Sequence, residues 1–219
     1  MPRIDVRGAI VPNDYSWYYD FWGEEYTAPK NVKAVLDGAG GELVDVYINS
    51  PGGEISSGSE IYAMLAGYGN VMIHITGQAH SAASVIAMAG MSEMAPTALM
   101  MVHRVSTYAE GNRNDFEHMT EVLTAADEAM STAYCRKSGM SQKEALKLMD
   151  GETWLTAAKA VEYGLVDKVM SEAAETAPMA AAFGFSLPSA EKLEQTKKFL
   201  EASSLKNKME LELLKLKEI

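Results

Sequence analysis

Leu43-Val44-Asp45-Val46-Tyr47-Ile48-Asn49-Ser50-Pro51-Gly52-Gly53 decides the fold. Its first six residues are rich in β-branched side chains and read as a strand over 43–48. Asn49-Ser50-Pro51-Gly52-Gly53 is turn chemistry and should break that strand sharply. The residues after it place Ile61, Met64 and Leu65 at helical spacing. Val71–Thr76 repeats the strand signature and Gly77 should end it. Residues 81–90 are small and apolar on every side, which suits a short buried helix. Residues 98–102 form the next buried strand. Strand, helix, strand, helix, strand in this order predicts a parallel sheet with crossover helices.

Working outward, residues 4–11 read as a first strand, and Pro29 opens a helix ending at Gly38. Between them, residues 12–29 read as a loop that holds seven of the chain's 18 aromatics: Tyr15, Trp17, Tyr18, Tyr19, Phe21, Trp22 and Tyr26. Such a cluster is either a satellite core under the loop or a surface that covers a neighbouring subunit or a substrate cleft. Of the two, the cover is the sharper expectation, with Trp17, Phe21 and Trp22 as its agents.

Downstream, residues 114–137 repeat Phe116, Met119, Leu123, Ala126, Met130 and Ala133 at steps of three and four. That narrow seam fits a helix packed along another helix, the alternative being a helix lying on its own domain. A short helix follows Trp154, and Gly164-Leu165-Val166-Asp167 leads into a closing strand. The organisation is therefore one catalytic-sized unit over 1–170, a linker over 171–188 rich in Ala, Pro, Ser and Glu, and an amphipathic helix over 189–219. That last segment holds seven Lys, seven Leu and six Glu, with Leu205, Met209, Leu213 and Leu216 at helical spacing.

The chain has 219 residues, 47% of them hydrophobic, and a net charge of −11. An acidic chain without clustered Lys and Arg is not expected to bind nucleic acid. No run of about 20 apolar residues is present, so no membrane span is expected. Met1-Pro2-Arg3-Ile4-Asp5 does not resemble a signal peptide, and a lone Cys135 fits a reducing compartment. A cytoplasmic location is the expectation.

Three segments carry chemistry. Ser81 follows a strand, in Gly77-Gln78-Ala79-His80-Ser81-Ala82, and sits where a helix begins. Helix N-termini offer free N–H groups and a partial positive charge, so the N–H of Ala82 can meet a developing oxyanion. The plainer alternative is a helix cap. Gly52-Gly53 allows close approach of backbone to a ligand, and the N–H of Gly53 is a second candidate donor. His103 ends an apolar strand, beside two other strand ends, where open parallel sheets bind ligands. His80 is the rival base, but adjacent residues at a helix start point about 100° apart. His74 and His118 are better explained by packing and by exposure.

Taken together, Tyr47 to Gly53, Gly77-x-Ala79-x-Ser81, Met100-Met101-Val102-His103 and Ala160-Val161-Glu162-Tyr163-Gly164-Leu165-Val166-Asp167 resemble the Clp protease proteolytic subunit. The segment 81–90 looks most like the Clp-related head maturation (prohead) proteases of tailed phages and prophages. The resemblance implies an α/β fold, a Clp/crotonase-type spiral of βαβ units with a long protruding handle helix. It implies a serine endopeptidase with Ser81 as nucleophile, His103 as base, and Gly53 and Ala82 as oxyanion hole. It implies ring-forming homo-oligomers, protein or peptide substrates such as capsid or scaffold precursors, and no metal or organic cofactor.

Three departures stand out. Counting without gaps from His103 puts Glu152 where the family has Asp, with Asp150 two residues earlier. The stretch from Gly90 to His103 is shorter than in the housekeeping enzymes. The first strand begins almost at once, so an ATPase partner is not expected. The rival readings are a crotonase-type acyl-CoA enzyme, a Ser-Lys peptidase (disfavoured because no Lys lies between Gly40 and Lys137), and an inactive assembly subunit.

Overall fold

The computed structural model describes residues 1–171 and 188–217. Strand β1 (Arg3–Ile10) leads through a 3-10 turn to helix α1 (Ser16–Trp22), strand β2 (Tyr26–Thr27) and helix α2 (Pro29–Gly38). Then come β3 (Val44–Gly53), α3 (Ile55–Tyr68), β4 (Val71–His80), α4 (Ala82–Ala87), β5 (Met91–Met94) and β6 (Leu99–Val102). The second half runs α5 (Arg113–Ser138), α6 (Gln142–Asp150), β7 (Thr153–Thr156), α7 (Ala157–Glu162), β8 (Lys168–Val169) and α8 (Ala190–Lys217). No described helix is long and apolar enough to cross a membrane.

The strands form one sheet, parallel except for the β6–β7 pair. Its centre, β3 and β4, buries every second residue. Val44, Val46, Ile48, Ile73 and Ile75 are fully buried there. Such β-branched stretches pack well on a pleated surface, which is why they form the middle strands. The other face carries charge. Arg3 lies 4.0 Å from the centre of the Tyr47 ring, which stacks on His74. His74 in turn bridges Asp45 (2.9 Å) and Glu93 (2.8 Å), so it is a polar tie across three strands rather than a packing residue.

Two expected strand ends move. The turn residues after Ile48 do not stop β3, which continues to Gly53, and Gly77 does not stop β4, which continues to His80. The ladder is interrupted and then resumes: Ile48 pairs with Ile75, and Ser50 with Ala79. The extra residues bulge out on β4 around Gly77, where a Cβ would lie 2.4 Å from the Asn49 Oδ1 atom. A bulge of this kind bends a strand without ending it. Strand β5 and helix α6, too short or too polar to stand out, were not expected.

Helix α5 is buried only in its second half, at Asp127, Ser131, Ala133 and Tyr134, while Phe116 at its start is 49% exposed. Its Asn112 cap accepts from the Asn114 N–H, and Gly139 closes it in the left-handed conformation.

Residues 12–29 are not a plain loop. They hold α1 and β2, and Tyr18 and Tyr19 join Ala9, Val11 and Ala28 in a small second core. Helix α8 packs back on it through Leu193, with Phe21 and Phe199 rings 6.0 Å apart. Among the described residues, the cleft beside Ser81 takes no lining from this segment, so the satellite core replaces the expected cover over the cleft. Most of the expected linker over 171–188 lies outside the described residues, as do the side chains of Leu205, Met209, Leu213 and Leu216.

Tyr18 is 2% exposed and contacts Tyr19 edge-on and Trp22 at a tilt. Tyr18→Ala is expected to lower the stability to urea by about 3 kcal/mol through the cavity it leaves. An unchanged unfolding midpoint would show that the cluster is peripheral.

Candidate active site

Strand register assembles the site. Strand β4 divides its hydrogen bonds, its Met72–Ile75 stretch pairing with β5 and its Gln78–His80 stretch with β6. His80 therefore lies beside Met101, and the Ser81 N–H donates to the Met101 carbonyl at 2.9 Å. His103 is two residues further along the same edge. On the other side of β4, Ser50 pairs with Ala79, which brings Gly52 and Gly53 to the same end of the sheet.

Ser81 stands at the turn between β4 and α4 with φ 54° and ψ −125°, a backbone conformation an L-residue adopts at a cost. Its hydroxyl caps nothing in α4. It meets His103 Nε2 at 2.7 Å instead. That contact sets aside the cap reading of Ser81. Behind it, Ser84 donates to the Ser81 carbonyl at 2.6 Å and lies 2.8 Å from the Tyr134 hydroxyl. Ser84 has one proton and spends it on Ser81, so Tyr134 is the donor in the second bond. Burial pushes the Tyr134 phenol up to about 12, which keeps it protonated for that role.

The glycines act on the turn itself. At Gly52, with φ 93°, a Cβ would lie 2.6 Å from the His80 carbonyl oxygen and 2.8 Å from Ser81 Cβ. At Gly53, with φ 152°, a Cβ would lie 2.1 Å from the Ile10 carbonyl oxygen. The expectation that the glycines admit a ligand is thus widened: Gly52 also lets β3 press directly on the serine turn, and Gly53 lets it press on β1. Gly53 and Ala82 both line the cleft with Ser81 and His103. Ala82 is the first residue of α4, where a backbone N–H has no intrahelical acceptor.

His80 points elsewhere, buried with its ring 4.8 Å from Trp154 and edge-on to it. Burial lowers its pKa, so it is neutral near pH 7. Glu152 occupies the turn before β7. The antiparallel register ends with Val102 paired to Thr153, so Glu152 and His103 each lie one residue beyond the last ladder pair. Its carboxylate accepts from Trp154 Nε1 at 3.4 Å, and among the described residues no carboxylate is hydrogen-bonded to His103. Ser81 and Glu152 are the two non-glycine residues with positive φ among the described residues, the latter at 43°. Asp150 is turned away, with Arg104 Nε donating to it at 2.6 Å, and that bond holds its carboxyl below the usual range.

A strained serine at a strand-to-helix turn, hydrogen-bonded to a strand-end histidine, is an arrangement for nucleophilic attack on a carbonyl. Residues 36–173 match the family model described as Clp protease. The chain belongs to the Clp protease family. The match takes in every strand except β1 and β2. Over 136 residues the chain is 31% identical to the ATP-dependent Clp protease proteolytic subunit of Porphyromonas gingivalis, covering 60% of this chain and 61% of that one. Over 134 residues it is 31% identical to the corresponding subunit of Bacteroides fragilis, covering 59% and 65%. The chain thus spans under two thirds of the curated relatives it matches. The aromatic segment and α8, which pack on each other, both fall outside the family match.

Sequence reading missed Arg104 and Asp127, two charged residues beside the cleft. The only signal was an acidic residue immediately beside the apolar seam of α5, which looks like an ordinary solvated position.

Gly52→Ala would drive a methyl group into the backbone of the serine turn. Hydrolysis is expected to fall by about 100-fold while the helical content is kept, since a shift of about 1 Å at a nucleophile costs that much. Circular dichroism alongside a peptide-hydrolysis assay checks it.

Proposed function

We propose that the chain is a serine-type endopeptidase that works through an acyl-enzyme. The observation that carries this is the 2.7 Å contact between Ser81 Oγ and His103 Nε2. With Nε2 unprotonated, the hydroxyl donates to it. As Oγ bonds to the scissile carbonyl carbon, its proton passes to Nε2 and the carbonyl electrons move onto oxygen. The N–H groups of Gly53 and Ala82 receive that oxyanion. The C–N bond then breaks, the amine leaves with the proton from His103, and an ester to Ser81 remains. Water, deprotonated by the same nitrogen, attacks the ester and frees the acid and Ser81.

Glu152 is our proposal for the acid that orients His103. Its place one residue beyond the Val102–Thr153 pair, as His103 is, and its strained backbone support the choice over Asp150, whose carboxylate is engaged by Arg104. A carboxylate here holds the imidazole in the tautomer that leaves Nε2 free to accept.

Within this reading, the substrates we propose are capsid or scaffold precursor segments in an assembling prohead or the bacterial cytoplasm. The likeness of segment 81–90 to phage maturation proteases supports it. Homo-oligomeric rings joined partly through α5 are proposed as well, supported by the exposed Phe116 end of its seam. The unit over 1–170 would then carry the chemistry, with 189–219 as an accessory helix. No cofactor enters any step. The second reading, an inactive assembly subunit, is favoured only by the lack, among the described residues, of a hydrogen bond between a carboxylate and His103.

Ser81→Ala is expected to abolish peptide hydrolysis by several orders of magnitude while the sedimentation profile is unchanged, because a nucleophile is worth far more to the rate than to the fold. Full activity in the purified variant would remove the peptidase reading. Glu152→Gln is expected to lower kcat more than Asp150→Asn; the reverse order would move the acid to Asp150.

A further inference from the structure

The ring that accepts from Ser81 is tied, among the described residues, through one nitrogen only. It also belongs to the first residue beyond a strand, because β6 ends at Val102 and residues 103–112 adopt neither helix nor strand. What fixes the imidazole is therefore what fixes the chain immediately after it.

One buried carboxylate holds both of the next two residues. Asp127, in the middle of α5, accepts the Val105 N–H on Oδ1 at 2.7 Å and Arg104 Nη1 on Oδ2 at 3.1 Å. Its side chain is only 9% exposed. A carboxylate buried to that degree is costly unless both oxygens are satisfied. Here both are satisfied by the two residues that follow His103, and neither by its own helix. Arg104 extends the tie to Asp150, at the end of α6 and two residues before Glu152. Asp127, Met130 and Tyr134 are spaced three and four apart, so they share one face of α5. Met130 and Tyr134 line the cleft with Ser81 and His103, and Arg104 and Val105 do so from the loop.

We infer that Asp127 is a positioning residue for the Ser81–His103 reaction, acting by clamping residues 104 and 105 and so fixing His103 against Ser81. The inference rests on the peptidase reading. A long helix thereby carries a residue that sets nucleophile activation without touching the reacting atoms. Its loss should lower the rate of bond making at Ser81 and leave substrate binding alone.

The test is Asp127→Asn, which keeps the shape but offers one acceptor to two donors. Wild type and variant are compared for peptide hydrolysis, for the rate of Ser81 modification by a fluorophosphonate, and by sedimentation. The expected result is a fall in kcat of about 10- to 100-fold with KM within about twofold, and a parallel fall in the rate of Ser81 modification. The sedimentation profile should not change. Arg104→Gln, at a half-buried position, removes one of the two ties and should show a smaller fall of the same kind; it decides the matter if Asp127→Asn does not fold. Wild-type turnover and labelling in a folded variant, or a fall in melting temperature alone, overturns the inference. A wild-type chain that does not label at Ser81 overturns the peptidase reading and this assignment with it.

Discussion

The site depends on the way β4 shares its edge. A strand has one hydrogen-bonding edge on each side, and β4 gives the far end of one edge to β6 rather than to β5. That handover sets His80 beside Met101 and lets the Ser81 N–H reach the Met101 carbonyl. With those two contacts fixed, the separation of Ser81 from His103 follows from covalent geometry. A shift of one residue in the pairing would turn side chains to the other face and separate the pair.

The same logic gathers the remaining parts. The bulge opposite Asn49 brings Gly52 and Gly53 level with the serine turn. The antiparallel return of β7 pairs Thr153 with Val102, which leaves Glu152 and His103 each one residue beyond the ladder. The serine turn and the glycines come from distant stretches of chain and are positioned by ladder hydrogen bonds, whereas Glu152 is held in its turn by the Met149 carbonyl. The loop after β6 lacks such support, and a charge on α5 supplies it. Helix α5 in turn is anchored on the nucleophile's side by the Tyr134–Ser84 contact. Its buried half thus touches both members of the reacting pair indirectly.

Much of this was legible in the sequence, for physical reasons. The β-branched runs at 43–48 and 71–76 announce buried parallel strands, and the small residues after Ser81 announce a helix pressed against them. The placement of Ser81 and His103 at strand ends follows from those boundaries. The strand ends themselves were misread at Gly77 and at Asn49 to Gly53, because a bulge and a true stop use the same residues. Asp127 was invisible because a lone acid on a long helix is usually solvated, and only the return of the 103–105 segment makes it buried. The aromatic segment was legible as a cluster, with a satellite core as one of its two readings, but its contacts with Leu193 and Phe199, far along the chain, were not.

The central claim is that register makes Ser81 a nucleophile through His103. Peptide mass mapping after exposure to a fluorophosphonate measures this directly, in the wild type and in His103→Ala. The account predicts one adduct, on Ser81, in the wild type and loss of that adduct in the variant. Labelling of Ser81 at the same rate without His103, or an adduct on a different serine, would contradict it.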